Sequence, residues 1–568
     1  MDFFRKAVPV FIAGKSGTVN SQAAFRTVFT ARAGREYTLT LTGSTLYRVW
    51  LNGEVVHYGP ARGPHGYVRV DRISLAVRDG ENHLAVEVAG YNCPSFYTMD
   101  ILSFLQAELC EDGDMIRFTA VNGDFEGVSL EGIRARKCIR YSYQMAFTEV
   151  WRLTGKAADG VWNAIWSLDA ELLETVDHGK KYMEREWKLP YLGLSPEAVP
   201  YERGEFRKKD GFDCYDKRFT RISDEVVGYR CEELSDDVLA AMYGDMIPVE
   251  SDLSMPLTVS AGDYAALDFG RIYAGFIRLI FRAKVKTTAY IFFSEMPRDG
   301  RIDIGVEREE KIDIIKLDID PADETRTFES FECYSLKYLG VMVESGEIDI
   351  LRADMREYRY DAEYVPLASG DGVLDLTHEA AFRTFTHNTL DTFMDCPGRE
   401  RGGFAHATGD LFRGAHYILT PDDSVPQESI HLLEQLVTFM GCADVVFTNP
   451  DAHDERIAYT SQLMHVMALA LCDQHLLFDS YGFEGGSFRG ATRVAALDPK
   501  LWCELFWANK ETLAELTDEL IGKLTEYSGL LHGDDRAALL ERLTVSSDRK
   551  KKFDTLRGLD ASQKPLFK

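Results

Sequence analysis

The sequence predicts a multidomain chain, with antiparallel β-sandwich domains of jelly-roll type at the N-terminal end followed by an all-α C-terminal domain. Three observations carry this. Apolar residues alternate with polar ones from Phe25 to about Glu108 and again from Leu257 to about Tyr360, the period at which side chains reach one face of a strand. After Pro366 the repeat lengthens to that of a helix, and apolar-striped segments fill the chain beyond Asp451. At 568 residues the chain exceeds the size of a single core, so roughly two to four domains are expected.

In the first sandwich, 1–108, REYTLTLTGSTLYRVWLNGEVVHYG places Leu39 and Leu41, then Tyr47, Val49 and Leu51, on one side of successive strands. Asn52-Gly53 marks a two-residue hairpin, because a type I′ turn needs two positive φ angles. NHLAVEVAGYN aligns Leu84, Val86 and Val88. The stretch 109–252, with its Trp-rich piece EVWRLTGKAADGVWNAIWSLDA, is mixed and receives no assignment. Over 253–365 a second sandwich is expected: YAALDFGRIYAGFIRLIFRAKVKTTAYIFFSEMPRDGRID reads as three strands, with Ile277, Leu279 and Phe281 on one side and Tyr290, Phe292 and Ser294 further on.

DLTHEAAFRTFTHNTLDTFM is helical and brings Ala381, Phe385 and Thr389 onto one face, with Asn388 alongside. AHYILT and GCADVVFT read as strands flanking a helix opened by Pro426, a residue suited to a first turn. Long helices follow from about Asp451 to Phe478 and from Pro499 onward, where Leu513, Leu516, Leu520, Leu524 and Tyr527 form a stripe. SSDRKKKFDTLRG is read as a solvated helix end.

The net charge of −27 argues against nucleic acid, whose grip requires a basic footprint, and against an anionic membrane surface. The opening MDFFRKAVPVFIAGKSG is too short and broken for a signal or a span, and no later run crosses a bilayer. Ten cysteines without C-x-x-C pairs exclude a zinc ribbon and a disulfide framework. Each is expected to be a free thiol, and the compartment to be the reducing cytoplasm. No metal site is expected.

The stretch Asp391–Pro421, DTFMDCPGRERGGFAHATGDLFRGAHYILTP, carries two patterns that overlap on Gly398-Arg399-Glu400. Read forwards, DCPGRERGG resembles the acid-bearing segment of α-L-rhamnosidase-like six-hairpin glycosidases. Tyr47-Arg48-x-x-Leu51-Asn52-Gly53 with Gly59-Pro60, and Asp268-Phe269-Gly270-Arg271, resemble the sandwiches that precede the catalytic barrel in that family. The resemblance implies that Glu400 is the general acid and Asp395 a neighbouring acid that holds the sugar, with Arg399 and Arg401 flanking them. Glycoside hydrolysis requires two carboxyl groups on opposite sides of the bond, and 366–403 would be only the truncated start of the barrel.

Read from Phe404 to about Leu556, the chain resembles prephenate dehydrogenases, through Arg456-x-x-Ala458-Tyr459-Thr460-Ser461-x-Leu463-x-His465 and Gly485-Gly486-x-Phe488-Arg489-x-x-Thr492-Arg493. The resemblance implies that 404–425 is a remnant of the nucleotide-binding domain and 426–568 the helical dimerisation and substrate domain. Arg493 would clamp a carboxylate of a prephenate-like dicarboxylate, a task suited to a planar bidentate donor. His465, Ser461, Gln462 and Arg489 would line the same pocket. Without the family, His465 reads as a core histidine and Arg493 as a surface group.

Oxidative decarboxylation needs NAD(P), and the resemblance implies that cofactor. Yet no G-x-G-x-x-G turn precedes the seam, and Met394 stands where the family's catalytic histidine falls. No cofactor-binding residue is therefore expected in this chain. The leading reading is a fusion-like protein with a prephenate dehydrogenase back end, inactive alone and dimeric through its C-terminal helices. The alternatives are a rhamnosidase-like glycoside hydrolase with a truncated barrel, and a non-enzymatic carbohydrate-binding and dimerisation protein. Natural fusion and a join made at the shared motif during sequence assembly both stay open.

Overall fold

The alternation read between Phe25 and Glu108 becomes two facing sheets. One has the strand order Leu173–Thr175, Val10–Ile12, Phe104–Glu111, Tyr37–Ser44, Tyr67–Ser74 and Lys181–Glu184, with Asp114–Phe118 beside Phe104–Glu111. The other runs Glu126–Ser129, Ser21–Ala31, Gly80–Gly90, Leu46–Leu51 and Glu54–Gly59. Leu39, Leu41, Tyr47, Val49, Leu51, Leu84, Val86 and Val88 all enter the core between them. Asn52 and Gly53 turn the hairpin at φ +52° and +91°, leaving Leu51 opposite Glu54.

This computed structural model describes residues 3–93, 95–142, 144–185, 188–207, 231–234, 245–250, 252–298, 301–302, 311–392, 394–398, 401, 416–421, 425–439, 442 and 444–556. The chain divides into two units, Met1–Thr408 and Gly409–Lys568. The junction expected near residue 403 lies outside the described residues.

The expected boundaries at 108 and 252 are corrected. Phe104–Glu111 crosses the first. The stretch between them is shared, with Leu173–Thr175 and Lys181–Glu184 returning to the first sandwich while Glu149–Leu153 and Val199–Arg207 join a third, ten-stranded sheet. Such short edge strands have too few residues to show a period, and their pairing is long-range. The Trp-rich piece is core: Trp151 is buried, and Trp162 and Trp166 pack against the same cluster.

That third sheet is covered on both faces. Ile277, Leu279 and Phe281 meet Ala24, Trp50 and Ala85 from the outer face of the middle sheet, whereas Tyr290 and Phe292 join a separate cluster with Tyr264. Its longest strand, Asp263–Ala283, shifts register between Asp268 and Tyr273 against Tyr334–Ser345. The Asp268-Phe269-Gly270-Arg271 motif makes this bulge: Gly270 has φ +75°, and its N–H donates to Asp268 Oδ1 at 2.6 Å. A Cβ on Gly275 would lie 2.0 Å from the Arg356 carbonyl oxygen, so the strands can approach there only around glycine.

The helix Gly372–His387 is capped by Asp371, which accepts from Val373 N and Leu374 N. Its inward side carries Thr386 and His387. The face expected to be apolar is corrected, because Ala381 and Phe385 are exposed. The expected Thr389 lies past the helix end, where it is buried.

In the second unit, His416–Leu419 and Asp444–Phe447 pair in parallel, with the helix Gln427–Phe439 between them in sequence. A parallel pair demands such a crossover, so a division at 425/426 cuts through one β-α-β piece. The rest is helical: Pro450–Ile457, a π-helical turn Ala458–Gln462, Leu463–Cys472, Gly486–Thr492, Pro499–Ala508, Lys510–His532 and Arg536–Leu556. Among the described residues no helix is long and apolar enough to cross a membrane.

Candidate functional site

The loop after the first long helix is tied down by buried ion pairs. Asp391 receives Arg62 three times, from N at 2.6 Å, Nε at 2.9 Å and Nη2 at 2.5 Å. The Arg62 guanidinium also donates to the Arg401 carbonyl oxygen. Arg401, at φ +44°, donates from Nη1 to Glu332 at 2.7 Å and from Nε to the Pro397 carbonyl oxygen at 2.7 Å. Glu332 accepts from Tyr91 and Tyr97 at 2.8 and 2.9 Å. Burial alone would raise the Asp391 carboxyl, but Arg62 and then Arg185 hold it below its ordinary value.

A cavity of about 40 Å³ opens among Arg62, Glu332, Asp391, Met394 and Arg401, space for a water or two. Two residues on its wall carry buried polar atoms, Tyr58 Oη and Arg401 Nη2, that have no hydrogen-bond partner among the described residues. The carboxylates gathered here anchor the loop. Asp391 is kept ionised by arginine and is therefore unsuited to donating a proton at neutral pH.

The sequence-derived acids fall differently. Asp395 is exposed and receives the Cys396 thiol at 3.2 Å. Glu400 and Arg399 lie outside the described residues. Arg401, expected to flank the two acids, is buried and clamps Glu332. Arg62, Glu332, Tyr91 and Tyr97 were not anticipated. The available signal was Arg62 just beyond Gly59-Pro60 and Glu332 between the aromatics Phe331 and Tyr334 in the short connection from Ala322–Glu329 to Tyr334–Ser345.

Behind this loop a second network locks the sheets together. Arg48, fully buried with Glu87, donates to Glu87 at 2.7 and 3.0 Å and to the Ser330 carbonyl oxygen at 2.9 Å. Glu149 accepts from Trp151, Tyr334 and two backbone N–H groups. The nine cysteines among the described residues are free thiols. Burial pushes Cys93 and Cys333 up to about 11, which makes them poor nucleophiles. Among the described residues no group of His, Cys, Asp or Glu could hold a metal ion.

In the second unit the π-helical turn carries Ser461 and Gln462, and such turns recur at functional sites. His465, one turn on, meets the Ser461 carbonyl oxygen at 3.0 Å through Nδ1 and stacks on Trp502, with ring centroids 3.6 Å apart. Gln462 is buried and structural: it donates to the Leu505 carbonyl oxygen at 3.2 Å and accepts from Asn509 at 3.1 Å. Arg489 is exposed, 3.7 Å from Glu484. Arg493 is exposed, and its turn, Arg493–Ala495, packs against the helix Leu463–Cys472. His465 and Arg493 are thus carried on neighbouring elements.

The segment between the strand His416–Leu419 and the helix Gln427–Phe439 reads TPDDSVP in sequence and carries no glycine of the kind a dinucleotide fingerprint requires.

Comparison with known proteins separates the same two parts. Residues 449–545 match the prephenate dehydrogenase dimerization domain. The chain is 30% identical over 155 residues to the cyclohexadienyl dehydrogenase of Zymomonas mobilis, covering 26% of this chain and 53% of that protein. It is 28% identical over 156 residues to the prephenate dehydrogenase of Bacillus subtilis, covering 27% and 42%. The chain thus spans about half the length of the curated relatives it matches. The solved GH78 family rhamnosidase of Bacillus sp. GL1 superimposes with a TM-score of 0.58 at 14% identity, over 70% of this chain and 60% of that one. The protein therefore joins a β-rich N-terminal part of rhamnosidase fold to a helical C-terminal part carrying a prephenate dehydrogenase dimerisation domain.

Proposed function

We propose that the C-terminal unit pairs two copies of the chain and binds a prephenate-like dicarboxylate, while the chain alone does not oxidise it. The observation that carries the binding reading is Arg493, an exposed guanidinium on a turn packed against the helix that bears His465, inside the matched dimerisation domain. Arg493 supplies the carboxylate clamp, and His465, Ser461 and Arg489 stand on adjoining helical elements. The sequence ahead of the matched domain carries no G-x-G-x-x-G fingerprint, so hydride transfer would draw on a dinucleotide site supplied from another chain.

Pairing is supported by how little the unit buries. Among its described residues only Val437, Ala458, Gln462, Leu463, Ala468 and Leu513 are buried, while Phe478, Tyr481, Phe483 and Trp507 are 70–89% exposed. A helical unit with so small a core and such an aromatic surface is stabilised by a partner copy. Light scattering should give twice the 64.2 kDa chain mass, and the mass of a single chain after removal of 501–568. For binding, calorimetry should detect prephenate, and Arg493→Ala should weaken it by roughly tenfold or more, the scale of a charge-assisted hydrogen bond. Equal affinity in the variant contradicts the assignment.

A second reading, glycoside hydrolysis through Glu400 with Asp395, draws support from the clamped loop between Asp391 and Arg401. Its test is release of p-nitrophenol from an aryl rhamnoside, lost on Glu400→Gln. Absence of release together with retained sugar binding would favour the non-enzymatic reading.

A further inference from the structure

A separate cleft of about 290 Å³ lies between the helix Gly372–His387 and the bulged strand Asp263–Ala283. Three guanidinium-bearing residues line it from three elements: Arg271 from the Asp268-Phe269-Gly270-Arg271 bulge, Arg359 from the segment after Glu347–Glu357, and Arg383 from the helix. Among the described residues only two carboxylates line it. Glu357 receives Arg359 at 2.9 Å, and Glu379 stands 3.5 and 3.9 Å from Arg383 and Arg271. The cleft therefore carries one positive charge in excess within a chain of net charge −27. Its walls are aromatic, with Tyr273, Tyr364 and Phe382.

We propose that this cleft binds an anionic monosaccharide. The three arginines take a carboxylate or phosphate, which removes the excess charge. The aromatic rings pack against the apolar C–H face of the sugar, and Glu357 and Glu379 accept its hydroxyls. The bulge has a use in this arrangement, because the register shift at Gly270 is what brings Arg271 to the helix. His387 at the cleft floor records the same convergent field: burial, then Arg359, Arg271 and Arg383, push its imidazole down to about 4. Nothing here depends on Glu400, Arg493 or either activity considered above.

The test is calorimetry on the full chain with glucuronate, glucose 6-phosphate, glucose and inorganic phosphate. Glucuronate or glucose 6-phosphate should bind at least roughly tenfold more tightly than glucose, the worth of one charge-assisted contact, and whichever binds identifies carboxylate or phosphate as the anion. Arg383→Gln and Arg271→Gln should each weaken that binding about tenfold with an unchanged melting temperature, since both side chains are partly exposed, at 38% and 44%. Three results overturn the proposal: no binding by either charged sugar, equal binding of glucose, or inorganic phosphate binding as tightly as both sugars, which marks an adventitious ion only. Unchanged affinity in both variants overturns it as well.

Discussion

The two units use arginine in opposite ways. In the first, Arg48 and Arg401 are buried against carboxylates, and Arg62, though partly exposed, is pinned to a buried one. Their removal leaves a charge in a low-dielectric core. In the second, Arg489 and Arg493 lie on the surface of short helical turns. A buried arginine paired to a buried carboxylate holds the fold, whereas one on an exposed turn is open to solvent. The same residue type at motif positions is thus buried and paired at Arg48 and Arg401 but open to solvent at Arg489 and Arg493.

The most severe way to probe that contrast is Arg48→Ala. It removes two charge-assisted donors from the buried Glu87, which among the described residues keeps only Arg134 and Trp50 at 3.3 Å, and should cost the first unit about 3–5 kcal/mol, seen in calorimetry as one transition falling while that of the second unit holds. Equal displacement of both transitions would mean that the units do not unfold independently. Acid should separate them next. The folded pKa of His387, about 4, lies below the ordinary 6.5. The unfolded chain therefore takes up its proton first, and stability is lost as pH falls from 6.5 towards 4, on the order of 3 kcal/mol. Asp391 and Asp71, both held below their ordinary values, add losses only at lower pH. His57 and His178, lowered by burial as well, lose stability in the same upper window, so His387→Gln should reduce the loss there without abolishing it and leave the lower one unchanged.

Smaller effects sharpen the comparison within each unit. Gly275→Ala pushes a methyl into the Arg356 carbonyl oxygen and should destabilise the first unit by about 1–3 kcal/mol, measured by urea unfolding. Gln462→Ala removes the link to Leu505 and Asn509 and should lower the second unit by about 1 kcal/mol. An unchanged unfolding midpoint would return Gln462 to the list of ligand-facing residues.

Local pattern made the sandwich cores legible. Every apolar residue aligned from Leu39 to Val88 is buried as the alternation required, and Asn52-Gly53 turns as its φ preferences dictate. What stayed hidden was long-range. Glu149–Leu153 pairs in parallel with Ile314–Ile319, and no local period reports a partner so distant. Ala381 and Phe385 misled for a related reason: the helical period shows that a stripe exists without showing what it faces. At the candidate sites the motifs pointed to Arg493 and His465. They could not foretell that Arg401 turns inward, because its partner Glu332 comes from another strand region, and Glu400 lies outside the described residues.

The central claim is that the chain couples a prephenate-type binding and pairing module to a rhamnosidase-fold front without a working dinucleotide site. Its most direct test is to incubate the purified full-length chain with prephenate and either NAD+ or NADP+, and to follow reduced nicotinamide by fluorescence. The account predicts no reduced cofactor under conditions where prephenate binding is measurable. Sustained reduction by this chain alone would contradict it.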